Sequence, residues 1–86
     1  MNIKQQIEKA INRKFKSSFN NTWEYVGYSL TTIRIDNDKL TFDNTLTIVS
    51  IPKNDINTMA FKRVGACNQL AIDITTHSGM ELMLTL

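Results

Sequence analysis

The chain has 86 residues, one cysteine and a formal net charge of +2, which leaves room for one hydrophobic core and none for a second domain. Hydrophobic residues at 42 % and charged residues at 21 % lie near globular averages and exclude the low-hydrophobicity, high-charge corner where chains stay disordered. A lone Cys67 excludes an internal disulfide, the polar Asn2, Lys4, Gln5 and Gln6 argue against a signal peptide, and no apolar run approaches the ~18 residues that span a bilayer, so the expected compartment is the cytoplasm.

Ile3, Ile7, Ala10, Ile11 and Phe15 recur at three- and four-residue steps, which predicts an amphipathic helix over residues 2 to about 17, with Lys9, Arg13 and Lys16 on its polar side. Ser17, Ser18, Asn20, Asn21 and Thr22 then supply stop and turn chemistry. Val26, Tyr28 and Leu30 alternate, and Thr31, Ile33 and Ile35 continue on the other parity, a pattern of one strand that is bulged or buried on both faces. Asp36-Asn37-Asp38 and Asp43-Asn44 predict turns on either side of a short strand carrying Leu40 and Phe42. Leu46, Ile48, Val49 and Ile51 predict a strand ended by Pro52. Ile56, Met59 and Phe61 fit a strand or a short helical turn, closed by Gly65. Leu70, Ile72 and Ile74 alternate cleanly, and Thr76-His77-Ser78-Gly79 turns the chain into Met80, Leu82, Leu84 and Leu86 as a hairpin. One helix followed by closely spaced strands predicts an α+β domain, the helix packed on an antiparallel meander of about five or six strands over residues 23–86.

Candidate chemistry is sparse. Cys67, Asp73 and His77 are close in sequence, but a turn histidine at the far end of a strand from Cys67 is badly placed to activate it, so Cys67 is expected to be a buried or half-buried thiol without a catalytic role. Structural zinc wants about four Cys/His ligands and only two such residues exist, the turn with Asp36, Asp38 and Asp43 lacks the pattern of a calcium hand, and the glycines stand singly. No catalytic residue, metal ligand or cofactor is therefore expected.

Surfaces carry more information. Phe15, Phe19, Trp23, Tyr25 and Tyr28 place five of the seven aromatics in one segment. Phe15 and Phe19 are expected in the core, because a small domain needs such large groups, while Trp23 and Tyr25 fit a core or an interface equally well. Lys4, Lys9, Arg13, Lys14 and Lys16 oppose only Glu8 in the first twenty residues, and the remainder carries five Lys/Arg against seven Asp/Glu. That modest excess suits a local basic patch at Lys9, Arg13 and Lys16 better than a footprint for nucleic acid or an anionic membrane surface. The last strand, Met80 to Leu86, has one charge and no proline. At a sheet edge its main chain would be unprotected, and a homodimer would cover it.

The stretch from Tyr28 to Leu86 resembles the strand meander of small bacterial pleckstrin-homology-like domains, through Lys39-Leu40-Thr41-Phe42, the strand ending at Ile51-Pro52 before Lys53-Asn54-Asp55-Ile56, and the hairpin from Leu70-Ala71-Ile72-Asp73-Ile74 past Gly79 to Leu84. It departs from that family in having an N-terminal helix in place of the closing C-terminal one. The resemblance implies a non-enzymatic binding domain and carries over no ligand residues. Abundant Asn, Ile, Lys and Thr are the mark of an AT-rich genome, such as that of a low-GC bacterium or its phage. The expected function is a small non-catalytic protein-interaction module, with Trp23, Tyr25, Met83 and Leu86 as its candidate surface. The alternative is a phage- or mobile-element-type regulator that binds a host protein or nucleic acid through Lys9, Arg13 and Lys16.

Overall fold

The computed structural model describes residues 2–27 and 31–86, so the alternation expected at Tyr28 and Leu30 lies outside the described residues. Helix α1 (Ile3–Ile11) starts at a capping box: the Asn2 side chain accepts the Gln5 N–H at 2.8 Å, and the Gln5 side chain accepts the Asn2 N–H at 3.2 Å. Two of the donors that every helix start leaves orphaned are thereby satisfied. The helix ends at Asn12, well before the boundary near residue 17 that periodicity suggests. Asn12 takes a left-handed conformation (φ 56°, ψ 39°) and returns its N–H to the Glu8 carbonyl, a stop that asparagine accepts more readily than most residues. Phe15 is buried all the same, from the segment after the helix. Its N–H donates to Glu8 Oε2 at 2.8 Å, which ties that segment back onto α1.

Five antiparallel strands form the first sheet in chain order, β1 (Lys16–Ser17), β2 (Trp23–Val26), β3 (Thr32–Ile35), β4 (Lys39–Asp43) and β5 (Ile48–Pro52). The change of parity around residue 30 marks a reversal of the chain between β2 and β3, closed by the Gly27 N–H on the Thr31 carbonyl at 2.8 Å, and not a bulged single strand. The turn residues behave as their chemistry predicts. Asp36 Oδ1 accepts the N–H groups of Asp38 and Lys39 at 2.8 and 2.9 Å, and Asn44 Oδ1 accepts those of Leu46 and Thr47, both at 2.8 Å. Leu46 therefore sits in a turn, exposed, and not in β5.

A single 3-10 turn (Lys53–Asp55) leads into the second sheet, β6 (Ile56–Val64), β7 (Gln69–Thr76) and β8 (Glu81–Thr85), again antiparallel and in chain order. Ile56, Met59 and Phe61 thus belong to a strand, with a register shift between Ile56 and Thr58. The hairpin of β7 and β8 is as expected, and its turn needs Gly79, whose φ of 99° is closed to residues with a Cβ. The molecule is α+β, with the strands divided between two sheets.

Register explains the core. Trp23, Ile35, Leu40 and Ile51 lie across the first sheet in one row, and Tyr25, Ile33, Phe42 and Val49 in the next. Met59, Ile74 and Leu82 form a row of the second sheet, and Phe61, Ile72 and Leu84 another. These rows meet Ile7, Phe15 and Leu86 in one cluster. Among the described residues no helix is long and apolar enough to cross a membrane. The opposite side of the first sheet carries a polar row, in which Arg34 reaches Glu24 and Asp43, each at 3.0 Å, and Thr41 pairs with Ser50, beside the exposed Val26 and Ile48.

Candidate functional site

The pairings place the turns in two groups. The β3–β4 turn, the 3-10 turn and the β7–β8 turn lie at one end, whereas the end of α1, Gly27 after β2 and the β6–β7 turn meet at the other. At this second end a groove of about 590 Å³ opens between them. Its floor is apolar, made by Ile11, Tyr25, Leu70 and Leu86, and its rim is polar, made by Asn12, Arg13, Arg63, Cys67, Asn68 and Gln69. Among the described residues no Asp or Glu side chain lines it.

Each wall has a local cause. Asn12 ends the helix in the left-handed region, which turns Arg13 out of the helical line, and Arg13 Nη1 donates to the Asn12 carbonyl at 3.0 Å. Asn68, also left-handed at φ 55°, shapes the β6–β7 turn, where Arg63 Nη1 donates to its carbonyl at 3.3 Å. Tyr25 is held by Phe15, their ring centroids 6.0 Å apart. Gly27 is buried at the back, where a Cβ would lie 3.5 Å from the Leu86 main chain, so the two sheets meet there.

Two cations without an ion pair lie on the groove. Among the described residues Lys4, Lys14, Arg34 and Lys62 pair with carboxylates, whereas Lys9, Arg13, Lys16, Lys39, Lys53 and Arg63 do not, and of these six only Arg13 and Arg63 line the groove. Glu8, close to Arg13 in the chain, is already committed. The Phe15 N–H holds its carboxyl below the ordinary value despite burial, with help from Lys4 and Lys14. Glu24 is held low by the Ser18 hydroxyl and then by Arg34.

The residues singled out in the sequence fare differently. Lys9, Arg13 and Lys16 are all exposed but stand on the last turn of α1, the following segment and β1, so they are not one helix face. Lys9 and Arg13 nevertheless share a surface depression, as do Arg13 and Lys16. Tyr25 is half-buried in the groove. Trp23 is half-buried at the opposite end of β2, with Lys4 Nζ 4.3 Å from its ring centroid. Met83 is 55 % exposed, as a surface residue must be, but Leu86 is only 7 % exposed and belongs to the core. Its N–H bonds to the Leu70 carbonyl at 3.0 Å, which draws it from the outer face down to the floor of the groove. Phe19, expected in the core, is 80 % exposed, projecting from a turn where Asn20 and Asn21 are left-handed. Cys67 is exposed, not buried, and is separated from the His77 turn by the length of β7. Among the described residues no three His, Cys, Asp or Glu side chains gather as metal ligands. Arg63 escaped the sequence reading altogether, since nothing local links it to Arg13.

Compared with known proteins, the chain matches no family model, no curated protein and no solved structure.

Proposed function

We propose that this chain is a small non-catalytic protein-interaction module, and that the groove takes a partner segment carrying carboxylates beside apolar side chains. The observation that carries the reading is the pair Arg13 and Arg63, two guanidinium groups without acidic partners on the rim of an apolar floor. A guanidinium fork matches a carboxylate in two parallel hydrogen bonds, and arginine is among the residues that dominate binding energy at interfaces. The floor gives the neighbouring apolar side chain a place to leave water. The likeness to bacterial pleckstrin-homology-like domains goes with this reading, since the segments that carry it are β4, the end of β5 and the β7–β8 hairpin, with Ile7 of α1 filling the core.

The test is fluorescence-polarisation binding of short peptides that alternate Glu with Leu or Phe. Arg13→Ala and Arg63→Ala should each weaken binding about tenfold, equivalent to about 1.4 kcal/mol, and added salt should weaken it further. His77→Ala, at the opposite end of the molecule, should leave it unchanged. Parental affinity in both arginine variants would refute the assignment.

A second reading, a regulator that touches nucleic acid, is favoured by the run of depressions that joins Lys9 to Arg13 and Arg13 to Lys16. It predicts the opposite dependence. A single-stranded oligonucleotide would be lost by Lys9→Ala or Lys16→Ala, in a salt-dependent way, and would ignore Arg63→Ala.

A further inference from the structure

Among the described residues four strands lie at the margins of the two sheets, β1, β5, β6 and β8, and three of them are defended. β1 has two residues, β5 ends in Pro52, and β6 carries an irregularity at Ile56/Thr58 together with Lys62 and Arg63. Shortness, proline, bulges and basic side chains are the devices by which natural edges resist strand addition. β8, with the sequence Glu81-Leu82-Met83-Leu84-Thr85, has only the single charge of Glu81 at its start.

Its ladder to β7 decides which main-chain groups are left over. The Thr76 N–H bonds to the Met80 carbonyl and the Leu86 N–H to the Leu70 carbonyl, each at 3.0 Å, so the two ends of the register are bonded pairs. Bonded and non-bonded pairs alternate in an antiparallel ladder. Leu82 and Leu84 therefore bond to β7, while Glu81, Met83 and Thr85 direct N–H and C=O away from it.

We infer that a second copy of this chain pairs on that edge, β8 against β8, antiparallel about a two-fold axis at Met83. Centred there, all three outward residues find partners at once: Met83 meets Met83 of the second copy, and Glu81 meets Thr85, so each pair exchanges both of its bonds. No like charges are opposed. On the inward side Leu82 faces Leu84 of the second copy. Both leucines are half-buried in the single chain and end the rows Met59–Ile74–Leu82 and Phe61–Ile72–Leu84, so pairing continues the apolar rows across the axis. The closed two-fold leaves β6 as the outer margin of the joined sheet, where the basic residues and the irregularity stand against further growth.

The experiment is sedimentation equilibrium at micromolar concentrations, where the expected mass is twice 9.8 kDa. Met83→Lys sets two ammonium groups against each other and should give the monomeric mass with unchanged circular dichroism, because the side chain is already exposed. In a Cys67→Ser background, Met83→Cys should form a covalent dimer under mild oxidation, since a bonded pair holds its Cα atoms about 5.5 Å apart, within disulfide range. Leu46→Cys, on an exposed turn elsewhere, should not. A monomeric mass throughout, or a dimer that survives Met83→Lys without cross-linking through residue 83, would overturn the inference.

Discussion

The two ends of this domain carry charge of opposite use. At the end with the β7–β8 turn, carboxylates hold the chain: Asp55 accepts the Ser78 N–H at 3.1 Å and the Ser78 hydroxyl at 2.7 Å, and its carbonyl takes the His77 N–H at 2.8 Å. Asp36 closes its own turn there, and the Asp38 carbonyl takes the Lys53 N–H. At the groove end, among the described residues, the Arg13 and Arg63 side chains bond to the nearby Asn12 and Asn68 carbonyls. The first end ties its turns together through Asp36 and Asp55, and the second sets Arg13 and Arg63 beside an apolar floor. Lys39 and Lys53 at the first end have no ion pair either among the described residues, so the proposed role of the groove end depends on its apolar floor together with its charges.

The strongest way to break the comparison is through the core that supports both ends. Ile7 is fully buried and Ile11 only half-buried, so Ile7→Ala should cost about 2–5 kcal/mol and Ile11→Ala distinctly less, read from urea melts. Similar losses at both positions would mean that the groove end is packed as tightly as the centre.

Acid should loosen the tied groups next. Glu8, Glu24 and Asp36 are all held below their ordinary values of 4.5, 4.5 and 3.8, the last by the N–H groups of Asp38 and Lys39. A carboxyl depressed in the folded state contributes stability above its unfolded value, and that contribution is lost as pH falls through the folded value. Midpoints of urea unfolding should therefore hold steady from neutral pH down to about 5 and fall below that. A midpoint that rises on acidification would show that these ties carry no weight.

The smallest effect separates holding from receiving. Asp55→Ala should cost about 1–2 kcal/mol through its lost hydrogen bonds. Arg13→Ala with Arg63→Ala should leave the melting curve within about 0.5 kcal/mol of the parent while abolishing peptide binding. If the arginine pair destabilises the fold as much as Asp55→Ala does, the groove end is structural after all.

Local chemistry alone determined a good deal: the amphipathic face of Ile3, Ile7 and Ile11, the turns at Asp36 and Asn44, the stop at Pro52, and the hairpin through Gly79. Each depends on a few neighbouring residues and on backbone preferences that act at short range. Tertiary structure decided the rest. Helical spacing reaches Phe15 without interruption, yet the chain leaves the helix at Asn12, because Glu8 can hold the Phe15 N–H and the core can take the ring from an extended segment. Phe19 and Leu86 exchange their expected places for a similar reason. Burial depends on which other element arrives, and Leu70 arrives at Leu86 whereas nothing among the described residues covers Phe19. The groove itself joins residue 13, on the segment after the helix, to residue 63, on β6 of the second sheet, a juxtaposition that no periodicity encodes.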